Sequence, residues 1–508
     1  MTATSTTETE WKYEAPSGRT VPDLTELPRV AEQSDSGTQT LSAVYYDTDD
    51  LVLIRAGITL RRRSGGHDAG WHLKLPDRPG TRTEIQAPLR EELPDELSAL
   101  LTARLRGRRV HAVAQITTRR QRHVLLDGSG TSLAEVVADD VVAEALGDSR
   151  PAERWGEVEV ELTGGGMELL EAADARLHER GLERSAWPSK LERALAGRLA
   201  AGCDEPEDED GDPDPTAADV VCAYVRIQRD ELLAQDPRVR MDEPEAVHDM
   251  RVAARRLRSA LQAFPRVLRL EETSGVIEEL RWLGRRLGRS RDHEVVAERL
   301  EAALDRLPGE LVIGPVERRI EAYATPGPDA DQAASTRILD SHRYLALLDA
   351  LDRLIDFPPL ADHADQHAAK ALPKAVKRAF KRVGRRAEAA YAAEPGQEQD
   401  VALHATRKAA KRARYAAETA QLAEDGKAVR KTISDLKDLQ TALGDHQDTV
   451  LTRPAALRLG IAAHAAGENA FTYGLLHAHE SASSAASLDE AKKVWSKATR
   501  AKRTQWMR

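Results

Sequence analysis

The chain has 508 residues, 31% of them charged and only 4% aromatic, with a net charge of −10. That length accommodates two or three domains, no apolar run approaches the ~20 residues of a membrane span, and the start, Met1-Thr-Ala-Thr-Ser-Thr-Thr, lacks the basic and apolar stretches of a signal peptide. Two cysteines, Cys203 and Cys222, exclude a disulfide framework or a thiolate metal site of their own, so the expectation is a soluble cytoplasmic protein.

Residues 1–200 are strand-rich, with charges at period two. Glu8, Glu10 and Lys12 alternate in this way, as do Arg61 and Arg63, Arg82 and Glu84, Arg120 and Arg122, and Glu157, Glu159 and Glu161. In a strand, period two is one face. The opposite face carries Trp11, Ile85, Val158, Val160 and Leu162. A closed barrel with a charged lumen and a sandwich with a charged outer face both produce this pattern. Collectively the cations suit phosphate oxygens, whereas the carboxylates repel them. A hard divalent cation resolves the conflict by taking oxygen from both. Helices are predicted from Pro94 to Leu105 and over residues 167–181, the second with Leu169, Leu170, Ala173 and Leu177 as an apolar stripe and Gly181 as its stop. Both are expected to pack on the outside of the strands.

The ordered series Glu8-Thr-Glu10-Trp-Lys12, Tyr45-Tyr-Asp-Thr-Asp, Leu60-Arg-Arg-Arg63, Gly70-Trp-His-Leu-Lys-Leu-Pro76, Arg82-Thr-Glu84, Glu135-Val-Val-Ala-Asp139, Glu157-Val-Glu-Val-Glu-Leu162 and Ser189-Lys190 resembles the CYTH domain of the triphosphate tunnel metalloenzymes. The resemblance covers most of residues 5–200 and implies an eight-stranded antiparallel tunnel that binds triphosphate with Mg²⁺ or Mn²⁺. It implies that Lys12, Arg61, Arg63, Lys74, Arg82, Arg120, Arg122 and Lys190 grip phosphate. Glu8, Glu10, Glu159 and Glu161 would be metal ligands, with Glu84, Glu135 and Asp139 in support. Lys12, Glu84, Arg61 and Arg63 form the expected catalytic group. Arg119 and Arg120 compete for one position, and alternation with Arg122 favours Arg120. The implied reaction is attack by water on a terminal phosphorus, with inorganic tripolyphosphate as the default substrate.

From Asp204 to Asp214 eight of eleven residues are acidic, which reads as a solvated linker and places a domain boundary at 201–217. From Ala217 the pattern is helical to the end, with breaks expected near 236–244, 308–315, 325–329, 357–359 and 395–397. Within Val247–Leu261, His248, Arg251, Arg255 and Arg258 recur at helical spacing and share a face. His404, Arg407, Lys411 and Arg414 repeat this set at an offset of 156 residues, which also maps Asp292 onto Asp448, Arg226 onto Arg382 and Arg229 onto Arg385. Cations stacked on one face need an anionic partner, either a run of acidic residues or a ligand carrying many negative charges, and a duplication that keeps them in phase is a strong signal of a shared role. Two helical bundles, about 218–355 and 370–508, are therefore expected to turn their basic helices toward a shared groove. The segment from Ala486 to Arg508 reads as a final docking helix.

The duplicated His-x-x-Arg-x-x-x-Arg/Lys-x-x-Arg helices, each followed by Leu-Gly-x-x-x-Asp (Leu287 to Asp292, Leu443 to Asp448), resemble the CHAD domain over about 218–480. That implies an all-helical fold binding inorganic polyphosphate through His248, Arg251, Arg255, Arg258, His404, Arg407, Lys411 and Arg414. Arg226, Arg229, Lys377, Lys381, Arg382 and Arg385 are second-rank contacts, and Asp292 and Asp448 orient the arginines. Neither histidine has a partner at metal-ligand spacing. Nucleic acid is disfavoured because a stacking platform needs aromatics among the cations, and only Tyr415 and Phe380 lie nearby. The expectation is thus an α+β multidomain chain, a tunnel barrel followed by duplicated helical bundles. It would act as a metal-dependent triphosphatase with a polyphosphate-binding domain, or alternatively as a non-catalytic protein of polyphosphate granules.

Overall fold

Alternation in the first unit resolves into strands β1 (Thr4–Ala15), β2 (Glu32–Asp47), β3 (Thr59–Ser64), β4 (Gly70–Pro76), β5 (Thr81–Pro88), β6 (His111–Leu126), β7 (Ser132–Ala145), β8 (Glu153–Leu162) and the two-residue β9 (Glu183–Arg184). The structure, a computed structural model, describes residues 4–66, 68–77, 81–148, 150–201, 214–288, 291–324 and 328–507, the side chains of 291–294, 328–331 and 501 excepted. Cys203, most of the acidic segment from Asp204 to Asp214 and the side chain of Asp292 lie outside the described residues. The chain divides into two compact units, residues 1–207 and 208–508.

In the first unit the strand order is β5-β4-β3-β2-β6-β7-β8-β1, and β1 returns to pair with β5. All pairs are antiparallel. Closure depends on β1 serving two neighbours in turn. Residues Thr4 to Thr9 pair with β5, and Glu10 to Ala15 pair with β8. The sheet is therefore a closed eight-stranded barrel rather than a sandwich, and its edges are consumed.

Helices α1 (Asp95–Leu105) and α2 (Met167–Glu179) form where apolar periodicity predicts them. Leu169, Leu170, Ala173 and Leu177 of α2 cover the outward residues Tyr13, Val136, Val158 and Val160. Two short helices follow, α3 (Lys190–Ala194) and α4 (Ala196–Ala201). Leu191 and Leu195 pack with Ile116, Val141, Ala143 and Trp155. Those four share strand parity with the charged lumen residues Arg120, Asp139 and Glu157, so α3 caps one end of the interior with an apolar plug.

The second unit is all helical: α5 (Ala217–Arg240), α6 (Ala246–Ala263), α7 (Leu270–Arg286), α8 (Arg291–Leu304), α9 (Val316–Ala324), α10 (Pro328–Leu339), α11 (His342–Asp356), α12 (Ala368–Ala392), α13 (Gln397–Gln421), α14 (Lys427–Ala465), α15 (Phe471–Ala498) and α16 (Ala501–Thr504). An offset of 156 residues lays α5 on α12 and α6 on α13. It lays both α7 and α8 on the single 39-residue α14, so the second copy is continuous where the first is jointed.

Two expectations about helix ends need correction. The break near 236–244 is narrower than predicted, because α5 runs through Pro237 to Arg240. Chain reversal falls instead on Asp242 and Glu245, both with left-handed φ. The final helix does not begin at Ala486. It starts at Phe471, ends at Ala498, and the segment after it folds back, with Trp506 Nε1 donating to Thr432 Oγ1 at 2.9 Å.

Candidate functional site

In the barrel, period-two alternation turns seven of the expected phosphate-gripping cations onto one cavity of about 430 Å³, and the helix α3 adds the eighth, Lys190. Lys12, Arg61, Arg63, Lys74, Arg82, Arg120, Arg122 and Lys190 line it with Glu8, Glu10, Glu84, Glu135, Glu159 and Glu161. Arg119 points out, its side chain 69% exposed, beside Asp140. Alternation thus puts Arg120 inside.

Toward the plugged end the charges are matched closely. Ser189 caps α3, accepting from the Glu192 backbone N–H at 3.1 Å. This cap starts the helix at Lys190, whose ammonium meets Asp139 at 3.0 Å, Glu159 at 2.8 Å, and Glu157. Arg120 donates to both oxygens of Asp139 (2.8 and 2.7 Å) and to Glu159 at 2.9 Å. Lys12 bridges Glu10 and Glu159, 3.0 Å from each. Burial opposes charge on Glu159, but Lys12, Lys190 and Arg120 overcome it and hold its carboxyl well below the usual range. Asp139, Glu157 and Glu159 place oxygens within 4.8 Å of one another.

Another part of the wall is organised by Glu84. His72, fully buried, brings Nδ1 to 2.9 Å of Glu84 and Nε2 to 2.8 Å of the Asp68 carbonyl oxygen. Arg61 reaches Glu84 and Tyr45 Oη at 3.4 Å each, and Lys74 pairs with Glu8. Burial and a hydrogen bond with Glu84 push Glu8 up to about 8. Burial acts on Glu84 too, yet His72 and Lys74 hold it far below the carboxylate range. Arg63 donates to Asp68 at 2.6 Å, Arg122 lies 2.7 Å from Glu135, and Arg82 donates to the Pro188 carbonyl at 3.4 Å. The Nε atoms of Arg61 and Arg63 are buried with no hydrogen-bond partner.

Glu161 faces Glu10 across one strand boundary and Glu135 across the other. Like charges directly opposed are unfavourable. Burial and the charge of Glu10 push Glu161 up to about 7. Hard oxygen donors crowded in this way match a divalent cation such as Mg²⁺. Sequence reasoning did not assign Glu157, His72 or Tyr45 to the site. Glu157 shares parity with Glu159, and His72 with Lys74, so that signal was present.

In the helical unit, α6 packs on α13 and brings the two basic stripes together. Lys411 is surrounded by Arg407 and Arg414 of its own helix and by Arg251 and Arg255 of α6. Burial, then these charges, lower it to about 7. Arg255 donates to Tyr415 Oη at 3.0 Å, and Arg414 meets Glu418 at 3.0 Å. Asp448 on α14 faces Arg407, with burial raising its carboxyl despite that charge. His404 is held neutral by burial and by Lys408. His248, on the first turn of α6, is partly buried.

The stripe continues further than the motifs indicate. Burial, Arg281 and Arg412 lower Arg258, and burial, Arg382 and Arg281 lower Arg412. Arg281 and Arg412 were not anticipated, since neither belongs to the repeated motif. Arg229, expected among the contacts, is instead tied to Asp352 and to Asp230 at 2.8 Å. Arg226, Lys381 and Arg385 are exposed and Lys377 half-buried, and none of these four joins the cluster around Lys411. The rings of Tyr415 and Phe380 are buried.

Residues 6–194 match the CYTH domain family and residues 223–456 the CHAD domain family. Two uncharacterized proteins of Mycobacterium tuberculosis, from strains CDC 1551 and H37Rv, are each 39% identical over 492 residues, spanning 93% of this chain and 92% of theirs. Among solved structures, PptA from Streptomyces chartreusis is similar at 23% identity and a TM-score of 0.47, covering 56% of this chain and 100% of that one. The CHAD domain from the plant Ricinus communis is similar at 26% identity and a TM-score of 0.44, covering 57% and 95%. Among the described residues, no helix is long and apolar enough to cross a membrane.

Proposed function

The chain belongs to the proteins that join a CYTH domain to a CHAD domain, and on that premise we propose that its barrel hydrolyses inorganic tripolyphosphate with Mg²⁺ or Mn²⁺ while its helical unit binds inorganic polyphosphate. CYTH domains are often triphosphatases or cyclases and depend on metal. The observation that carries the reading is the convergence of eight cations and a set of carboxylates on one walled cavity. Cations alone would suit any anion. Opposed carboxylates beside them need either a proton or further positive charge, which a divalent cation supplies.

Arg61, Arg63, Lys74, Arg82 and Arg122 would grip phosphate oxygens, with Lys12, Arg120 and Lys190 at the plugged end. The family's cation would be held by Glu10 and Glu161, with Glu8, Glu159 and Glu135 close by. When bound, it supplies positive charge shared between carboxylate and phosphate oxygens. Asp139, Glu157 and Glu159 are already bridged by Lys190 and Arg120, which favours a role for them in holding those two cations. In the reaction water attacks the terminal phosphorus and the bridging P–O bond breaks, its electron pair leaving on pyrophosphate. Preorganised cations stabilise the charge on the transferring group. In the helical unit, burial of the few aromatics near the basic stripe favours a ligand without bases to stack.

The test is phosphate release from tripolyphosphate by the full chain with Mg²⁺ or Mn²⁺, beside Glu10→Gln. Metal-dependent release, lost in the variant, is expected. No release with either metal, together with retained polyphosphate binding, would replace the enzyme with a non-catalytic polyphosphate-binding protein.

A further inference from the structure

Two glycines of the helical unit occupy positions that their backbone does not require. Gly444 lies inside α14, and Gly288 follows α7 by two residues. Neither has a positive φ, and glycine within a helix is less favourable than alanine. They are copies of one another at the same 156-residue offset that relates Arg251 to Arg407.

What each glycine provides is space. A methyl group at Gly288 would sit 2.6 Å from Nη2 and 2.7 Å from Cζ of Arg251. At Gly444 it would sit 2.9 Å from Nη2 and 3.4 Å from Cζ of Arg407. The two separations from Nη2 are below an ordinary carbon–nitrogen contact, so each guanidinium lies against a bare glycine and would have to shift if a side chain were added there. By contrast Gly284, in the interior of α7, has nothing within 4 Å of the same built methyl group. The residues around Gly444 complete the arrangement. Leu443 is buried and anchors the turn, and Asp448, one turn further on, supplies a carboxylate facing Arg407.

We infer that Gly288 and Gly444 are positioning residues, each a floor that sets the depth and direction of Arg251 or Arg407 in the basic groove. This rests on the polyphosphate-binding reading of that groove. An added methyl group would push the guanidinium outward, away from Asp448 in the second copy and out of line with Arg255 and Lys411. The backbone would meanwhile become more helix-favouring, so the substitution separates recognition from folding.

The experiment measures binding of sodium polyphosphate of one chain length to the full chain and to Gly444→Ala, Gly284→Ala, Arg407→Ala and Gly444→Ala/Arg407→Ala, with Tm for each. Gly444→Ala is expected to bind about tenfold more weakly, the loss of roughly one charge-assisted contact, with Tm unchanged or raised. Gly284→Ala is expected to bind as the parent does. In the Arg407→Ala background Gly444→Ala should have no further effect on affinity, since its action passes through that side chain. Parental affinity in Gly444→Ala, when Arg407→Ala loses binding, overturns the inference and leaves the groove reading standing. An equal loss with and without Arg407 also overturns it, by showing a structural effect. Absence of binding by the parent chain overturns the groove reading and the inference together. Gly288→Ala repeats the test on the Arg251 side.

Discussion

Lys411 offers a direct measure of how the basic groove responds to an anion. It is enclosed by Arg251, Arg255, Arg407 and Arg414, with Asp448 as the facing carboxylate, and its pKa is lowered to about 7. At pH 8 such a lysine is about nine-tenths neutral, whereas one restored to its ordinary value near 10.4 is charged. A polyanion in the groove reverses the sign of the local field. Binding at pH 8 is therefore expected to take up about 0.9 proton. Affinity should then fall with rising pH above 7, by at most about tenfold per unit. The linkage in the free protein runs the other way. A lysine depressed by folding costs stability while protonated, so the unliganded unit gains stability as pH rises from 7 toward 10.5. Calorimetric titration of polyphosphate in two buffers of equal pH and different ionisation enthalpy counts the protons directly, and pH 8 keeps clear of His404. Lys411→Arg, always charged, should bind with that uptake removed. Intact binding with no proton uptake in the parent chain would refute the account of the groove.

Lys190→Met removes the cation bridging Asp139, Glu157 and Glu159; breaking so buried a network is expected to cost about 3–5 kcal/mol. That is roughly 10 °C in the Tm of the barrel, and an unchanged Tm would show the carboxylates to be satisfied elsewhere. Glu161, raised to about 7, should bind a proton in competition with metal. Mg²⁺ or Mn²⁺ affinity is expected to fall by up to about tenfold per unit as pH drops below 7, measured by metal titration at pH 6 and 8, and Glu161→Gln should remove most of that dependence.

Much of the barrel is legible in sequence because a strand offers only two faces. Once Glu8, Glu10 and Lys12 share one, the same parity carries Arg61, Arg63, Lys74 and Arg120 inward and leaves Arg119 outside. Parity alone does not report depth along the barrel, and that is why Glu157 was not placed. It lies beside the apolar plug of Leu191 and Leu195, whose position depends on where Ser189 starts a helix. Closure was likewise open to sequence reasoning, since a sandwich strand alternates as a barrel strand does. The registers of β1 with β5 and β8 decide it. In the helical unit, spacing identified the two basic stripes and the duplication anticipated that they face one another, but neither showed how far the stripe extends. Arg281 and Arg412 join the stripe through tertiary packing, and Arg229 leaves it for Asp352, neither event having a local signature. Pro237 misled as a helix stop, since α5 runs on through it for three more residues to Arg240.

The contrast between α14 and the two helices it matches leaves the two halves of the helical unit differently supported. An unbroken helix of 39 residues spans about 58 Å. Near one end Thr432 holds Trp506, and toward the other Gly460 packs against Tyr473. Arg407 thus lies against Gly444 within a helix tied down at widely separated points, whereas Arg251 lies against Gly288, just past the end of α7. A polymer contacting both arginines would thus meet two copies alike in their cations and unlike in the backbone that supports them.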